Sequence, residues 1–309
     1  MIRQTYSQSL DGFHGAYYPN PQGSRTGMVL VLGNSRDNGM ILSCVRWLHS
    51  RGCSVMAVAP GTEGWHSFPL ESIGAALEAL KQRGNDRLGI LGASITGSLA
   101  LLAASVYPDI RMTVALAPSD FVPEGFLRDG LDGAGERPAD GESMVTLGGK
   151  PLPFLPYAWR HPLYWQNVRA ESRSTGNLIA SRSLFVESER LHPLREEERI
   201  PVERIRGTLI LCGAEDDCLW DACGYIRRIH ERLREKGGRC RALSLLYRHG
   251  THFLAPQSLV SRTLHLATPL LPAVFHAGRK YPLECRQSRI DLDQRLTREL
   301  ERWQKEATP

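Results

Sequence analysis

One serine stands between two glycines in the segment GASITG, residues 92–97, where an apolar stretch gives way to small residues. A serine hydroxyl becomes a useful nucleophile when an imidazole accepts its proton and a third group orients that imidazole. In a nucleophile elbow the serine occupies a sharp strand-to-helix turn, and the residues two before and two after it are small. Gly92 fits this pattern, whereas Thr96 takes the second position and Gly97 follows one residue later. Ser94 is therefore either a nucleophile or a structural turn residue.

Acids and histidines that could serve this serine follow two later apolar segments. LILCGAEDD ends with Asp216 and Asp217, and LSLLYRHGTH carries His249 and His252. The order serine, acid, histidine is the one that the α/β-hydrolase fold uses. Either aspartate could instead cap the following helix, and one of the two histidines could be a surface residue. Asp120, after an earlier apolar segment, is the alternative acid.

Together these residues predict acyl transfer through a covalent acyl-serine. Ser94 would attack a carbonyl carbon, a histidine would take its proton and later protonate the leaving group, and an aspartate would hold the imidazolium. Water would then release the acyl group. The oxyanion needs backbone N–H donors, and we expect them from Ile95 and from Asn34 or, as an alternative, Ser35.

The elements that must position these residues alternate between apolar strands and amphipathic helices. GMVLVLGNS, CSVMAVAPG, RLGILGA, DIRMTVALAPS and GTLILCGAEDD are nearly continuous apolar segments, as expected for strands buried on both faces. Leu70, Ile73, Leu77 and Leu80 form a helical stripe. This repetition predicts an α/β fold, with a mostly parallel central sheet and helices on both faces. Two short strands are expected before it, and helices at about 256–276 and 283–306 close the chain. The second of these helices should bury the stripe Leu292, Leu296, Leu300 and Trp303.

The alternation breaks at Pro118 and resumes near residue 207. We predict an α/β-hydrolase core formed by residues 1–117 and 207–309, with a lid inserted at 118–206. Aromatic residues of this insertion could line an acyl pocket or pack the lid itself: Phe121, Phe126, Phe154, Tyr157, Trp159, Tyr164 and Trp165. Its arginines could bind the phosphates of coenzyme A or be solvated: Arg160, Arg169, Arg173 and Arg182.

Composition excludes several other classes of protein. The 309 residues carry a net charge of +5 without a run of Lys and Arg, which argues against a nucleic-acid-binding arm. The seven cysteines form no CxxC pair and the histidines no HExxH motif, so we expect free thiols, no metal and no cofactor. No segment has the length and apolarity of a membrane span, and the N-terminus lacks a signal-peptide core. A cytoplasmic enzyme with a small-molecule substrate is expected; the sequence does not set its oligomeric state.

Four segments resemble the α/β-hydrolase branch named for acyl-CoA thioester hydrolases and bile acid-CoA:amino acid N-acyltransferases (BAAT). They are GASITG, HPLYW, RIPVERIRGTLILCGAEDDCLW and YRHGTHF, and the resemblance spans roughly residues 25–260. The family's acid precedes a tryptophan by three residues, which here implies Asp217 before Trp220. The distance from Tyr247 implies His252 as the histidine.

Three features depart from that family. The chain has no room for the N-terminal β-sandwich of the larger members, Thr96 stands where glycine is usual, and the nucleophile position holds Ser94 where the N-acyltransferases can use cysteine. The resemblance therefore implies a serine hydrolase that cleaves an acyl ester or thioester, acyl-CoA included. The alternatives are an acyltransferase or amidase on the same residues, and a non-catalytic small-molecule receptor of the same fold.

Overall fold

The computed structural model describes residues 3–61, 64–125, 142–160, 163–263 and 274–306. The strands in these ranges are β1 Gln4–Tyr6, β2 Gly15–Tyr18, β3 Thr26–Val31, β4 Cys53–Val58, β5 Phe68–Pro69, β6 Arg87–Ala93, β7 Ile110–Leu116, β8 Val145–Leu147, β9 Lys150–Pro151, β10 Arg206–Ala214 and β11 Arg239–Tyr247.

The helices of the same ranges are α1 Gln8–Asp11, α2 Gly39–His49, α3 Glu71–Gln82, α4 Ile95–Val106, α5 Leu163–Thr175, α6 Arg182–Leu191, α7 Ala222–Lys236, α8 Gln257–Thr263, α9 His276–Lys280 and α10 Pro282–Lys305. Short 3₁₀ turns occur at Glu196–Glu198 and Val202–Arg204. The predicted helix at about 256–276 begins as α8, and its segment 264–273 lies outside the described residues.

Eight of the strands form one sheet in the order β1-β2-β4-β3-β6-β7-β10-β11. β2 runs antiparallel to β1 and β4, and the pairs from β4 through β3, β6, β7 and β10 to β11 are parallel. Every residue of β3 and β4 is buried, as the continuous apolar segments predict. The α/β-hydrolase fold class predicted from the sequence is thereby confirmed. The parallel strands bring the ends of β6, β10 and β11 to one edge of the sheet, where an α/β sheet places its site.

Apolar side chains cover both faces of this sheet. Successive residues of β3 alternate between two core clusters, with Val29 and Val31 in one and Met28 and Leu30 in the other. The first cluster includes the predicted stripe of α3 and Ile226, Ile229 and Leu233 of α7, and the second includes the stripe of α10, Leu292, Leu296, Leu300 and Trp303. Burial of these apolar side chains holds the helices against the sheet.

The segment between β7 and β10 contains β8, β9, α5 and α6 where it is described. β8 pairs with β5, which lies outside the predicted lid, through Phe68 and Val145. Residues 126–141, and Phe126 with them, lie outside the described residues. The division into core and lid stays a prediction.

Candidate active site

The predicted nucleophile occupies the turn between β6 and α4. Ser94 has φ 59° and ψ −130°, a backbone conformation that non-glycine residues rarely adopt. Such strain persists only where the surrounding structure fixes it, and it is concentrated at functional sites. A Cβ on Gly92 would collide with the carbonyl oxygen of Thr96, so the turn requires glycine there.

Thr96 fits this turn, although the resemblance leads one to expect glycine. Its buried hydroxyl donates to the Ala93 carbonyl at 2.8 Å and accepts from the Ala93 N–H at 3.1 Å. The close backbone approach falls one residue later, because a Cβ on Gly97 would lie 3.0 Å from the Leu116 carbonyl oxygen. The threonine thus closes the turn by hydrogen bonding rather than by being small.

Gly92→Ala is expected to destabilise the fold by about 3 kcal/mol, because the added methyl group meets backbone rather than a movable side chain. Urea denaturation measures this change. Gly39→Ala is the matched control, since nothing lies within 4 Å of a Cβ at Gly39, and it should change stability by less than about 1 kcal/mol. Equal stability of the two variants would contradict the described turn.

His252 lies between Ser94 and Asp217. Its Nε2 is 2.9 Å from the Ser94 Oγ, and its Nδ1 is 2.8 Å from the Asp217 Oδ2. An ionised carboxylate only accepts hydrogen bonds, so Nδ1 carries the proton and Nε2 is left to accept from the serine hydroxyl. The histidine and aspartate side chains are almost fully buried, which excludes water from their contact. This arrangement can move a proton from the serine to the imidazole.

Asp217 also organises the segment that follows β10. Its Oδ1 accepts from the Leu219 N–H at 2.9 Å and from the Trp220 N–H at 3.3 Å. The indole of Trp220 donates to the Ala117 carbonyl at 3.1 Å and meets the His252 ring edge-on, with centroids 5.8 Å apart. The spacing of aspartate and tryptophan therefore has a physical reason, because both side chains contact the same imidazole.

Asp216 holds the loop that carries His252. Its Oδ1 accepts from the Gly250 N–H at 3.1 Å and from the Thr251 N–H at 2.8 Å, and its Oδ2 lies 3.2 Å from the His249 Nδ1. Thr251 has φ 61°, so this carboxylate stabilises a strained residue directly before His252. The two neighbouring aspartates thus have different contacts: Asp217 contacts His252, and Asp216 contacts the loop around it.

Asp120, the alternative acid, lies in a buried ion-pair cluster instead. Its carboxylate accepts from Arg199 at 2.8 Å and from Arg228 at 2.5 and 2.9 Å, and Arg228 also pairs with Glu189. The acid hydrogen-bonded to His252 is Asp217, so the structure does not support Asp120 in that role. Asp120 ties the start of the inserted segment to its end and to α7.

Asp120→Ala is therefore expected to lower the free energy of unfolding by about 3 kcal/mol, because it leaves two arginines without their shared carboxylate. Turnover per folded molecule should stay within threefold of wild type. Urea denaturation measures the free energy of unfolding, and kinetics with active-site titration measures the turnover per folded molecule. A loss of turnover above a hundredfold, with stability unchanged, would return Asp120 to the candidate acids.

The predicted oxyanion donors, Ile95 and Asn34, belong to the residues around the cavity that Ser94 lines. Ile95 is the first residue of α4, and a helix cannot satisfy its first N–H groups from within. Ile95 and Asn34 line one cavity together with Ser94 and His252. Ser35 instead accepts from the Asp37 N–H at 3.2 Å within its own loop.

That cavity has a volume of about 490 Å³, and most of its described lining is apolar. Of the insertion aromatics that could line an acyl pocket or pack the lid, none that the structure describes lines this cavity. Phe121, Tyr157 and Tyr164 are buried in a third cluster, and Trp159 and Trp165 pack against it. Phe154 packs against the first core cluster. Packing of the inserted segment, the alternative, is what the described residues show.

Two of the four arginines that could bind phosphates already contact carboxylates. Arg160 pairs with the buried Glu124, and Arg182 pairs with Asp221 at 2.9 Å. Arg169 and Arg173 instead line a groove along α5.

Sequence reasoning missed the residues of the cavity contributed by α2 and α8. Their apolar spacing is the same as that of any core-facing helix, so only the fold reveals that they face a cavity.

Among the described residues no group of three His, Cys, Asp or Glu side chains could hold a metal ion. The seven cysteines are unpaired thiols. No described helix combines the length and apolarity needed to cross a membrane.

Solved structures with this fold include esterases, a peptidase and a dienelactone hydrolase. A Pyrobaculum calidifontis esterase aligns with TM-score 0.53 and 14% identity over 97% of this chain and 85% of its own. A putative dienelactone hydrolase from Klebsiella pneumoniae aligns with TM-score 0.52 and 13% identity, covering 97% and 98%. An acylaminoacyl peptidase from Pyrococcus horikoshii aligns with TM-score 0.53 and 12% identity, covering 99% of this chain and 41% of that one.

Residues 163–263 match the family model described as BAAT / Acyl-CoA thioester hydrolase C terminal. This segment runs from α5 to α8 and includes Asp217 and His252. The sequence has no match among curated proteins. The chain has the α/β-hydrolase fold, and its segment 163–263 carries the BAAT / acyl-CoA thioester hydrolase C-terminal match that the sequence resemblance predicts.

Proposed function

We propose that this chain is a serine hydrolase that cleaves an acyl ester or thioester, acyl-CoA included, through an acyl-serine intermediate. Ser94 is the nucleophile, His252 the general base and acid, and Asp217 the orienting acid. The observation that carries the proposal is the continuous hydrogen-bonded series from Asp217 through His252 to Ser94, with contacts of 2.8 and 2.9 Å. The Ser94 backbone strain supports it, because a plain turn serine has no need of that conformation.

The reaction has two halves. The Ser94 Oγ bonds to the carbonyl carbon while its proton passes to the His252 Nε2, and the resulting oxyanion accepts from the N–H groups of Ile95 and Asn34. The imidazolium then protonates the leaving alcohol or thiol as its bond to carbon breaks. In the second half, water gives its proton to His252 and attacks the acyl carbon, and Ser94 recovers its proton from the imidazolium.

The substrate class is tested with a panel of p-nitrophenyl esters beside acyl-CoA thioesters of the same acyl groups. Hydrolysis of either series by the wild-type protein, with kcat lowered at least about 10³-fold in Ser94→Ala, supports the proposal. Thioester turnover well above ester turnover would favour the activity named in the family match. Absence of hydrolysis in both series would contradict the proposal and favour a ligand-binding protein.

Acyl transfer on the same residues is the second candidate. It predicts an amide product when an amine is added to the assay, and mass spectrometry of the products distinguishes this from the free acid. Serine at the nucleophile position favours water, since an acyl-serine is less reactive toward amines than a thioester intermediate.

A further inference from the structure

Few polar side chains line the cavity beside Ser94. Three of them, Ser94, His252 and Asn34, belong to the proposed chemistry. The other polar groups in its described lining are already bonded, since the Trp65 indole donates to the Gly33 carbonyl and the Thr96 hydroxyl to Ala93. The remaining described lining is therefore suited to an apolar group.

One face of α2 forms a wall along the length of this cavity. Met40, Cys44, Trp47 and Leu48 all line it, at the spacing of a single helix face. Met40 is 40% exposed, whereas Cys44 is 3%, Trp47 1% and Leu48 0% exposed. The cavity thus runs from an open end at Met40 to a closed end at Leu48. Eight residues of helix correspond to about 12 Å.

The closed end is held rigidly. The Trp47 Nε1 donates to the Asp293 Oδ1 at 3.0 Å, and the Arg51 guanidinium stacks on the Trp47 ring at 3.9 Å while pairing with Asp293 at 2.7 Å. The other Asp293 oxygen accepts from the Ser258 N–H at 2.7 Å, near the start of α8. One carboxylate of α10 therefore joins α2 and α8, whose side chains form the inner walls, so this end cannot readily expand.

Cys44 stands midway between the two ends, about 6 Å along the helix from Met40. Burial raises the pKa of its thiol to about 12, so the side chain stays neutral near pH 7. It is smaller than Met40, Trp47 and Leu48 on the same face, and its size decides how much of the inner half of the cavity is open.

We propose that the substrate's acyl chain lies in this cavity along α2, and that Cys44, backed by the fixed Trp47, sets the longest chain accepted. The inference rests on the proposed function. Each methylene that enters the cavity is expected to raise kcat/KM about fourfold, until the chain reaches the wall at Trp47 and Leu48.

The test compares p-nitrophenyl acetate, butyrate, hexanoate, octanoate and decanoate in wild type, Cys44→Phe and Cys44→Ala. Phenylalanine should fill the inner half, lowering kcat/KM for octanoate more than tenfold while acetate stays within threefold. Alanine should shift the optimum toward longer chains. Cys223→Ala, at a buried cysteine of α7 outside this cavity's described lining, is the matched control and should leave the profile unchanged.

An unchanged chain-length profile in both Cys44 variants would overturn the inference. If Cys44→Phe fails to fold, Cys44→Ala decides alone, and an unshifted optimum counts against it. A second series of substrates keeps the acetyl group and lengthens the alcohol. If the Cys44 variants change kcat/KM in the alcohol series and not in the acyl series, the leaving group occupies the cavity, and the inference about the acyl chain is overturned. Absence of both ester and thioester hydrolysis in wild type would contradict the proposed function itself, which separates the two failures.

Discussion

Ser94→Ala is expected to lower kcat on p-nitrophenyl acetate by roughly 10³- to 10⁶-fold. The alanine removes the oxygen that forms the covalent bond, while the oxyanion donors and the apolar cavity remain, so some activity over solution should persist. His252→Ala should cost about as much, because without its base the hydroxyl at 2.9 Å keeps its proton. The double variant should lose little more than either single one, since the two residues act as one unit.

Ser98→Ala is the matched control for this loss. Ser98 lies on the same helix, one turn beyond the elbow, and its buried hydroxyl contacts Ser119 at 2.7 Å rather than a histidine. Its turnover should stay within threefold of wild type. A loss below tenfold in Ser94→Ala would make the assignment of Ser94 wrong.

Asp217→Asn is expected to lower kcat by about 10⁴-fold with the fold retained. The asparagine oxygen can still accept from the Leu219 and Trp220 N–H groups, so the local turn survives. Its NH₂ group would face the His252 Nδ1 and oblige that nitrogen to accept, which places the proton on Nε2. An imidazole protonated at Nε2 cannot take a proton from Ser94. Steady-state kinetics beside circular dichroism checks both parts.

Asp216→Asn tests the neighbouring carboxylate with the same substitution. The amide oxygen can replace the Oδ1 that accepts from Gly250 and Thr251, so the loop should stay in place and kcat should fall by less than tenfold. Asp216→Ala leaves those N–H groups without their acceptor, and a loss of about 10- to 100-fold is expected. Because Asp216 acts by position, the pH profile of the remaining activity should be that of wild type. Equal losses in Asp216→Asn and Asp217→Asn would contradict the division of roles.

Much of the fold follows from local patterns in the sequence. Buried parallel strands have a distinctive continuous apolar pattern, and the stripe of Leu292, Leu296, Leu300 and Trp303 on α10 is buried as predicted. The order of serine, acid and histidine along the chain fits strand ends that meet at one edge of the sheet. These features depend on short-range spacing, which the sequence displays directly.

Other features depend on contacts between distant segments, and spacing alone does not reveal them. By sequence, the insertion aromatics could line a pocket or pack the lid. Phe121 and Tyr157 pack in a cluster of their own, because an inserted segment must bury apolar surface to fold. The residues that do face the cavity, such as Cys44 and Trp47, look like ordinary core positions of α2. The separate contacts of Asp216 and Asp217 likewise follow from the path of the loop after β11.

The most direct test of the central claim, that His252 makes the Ser94 oxygen reactive, is peptide mapping by mass spectrometry after treatment with a fluorophosphonate. We expect one adduct, on the peptide that contains Ser94, formed in wild type and in Ser98→Ala and lost in His252→Ala. An adduct on another residue, no adduct in folded wild-type protein, or undiminished labelling of Ser94 in His252→Ala would contradict it.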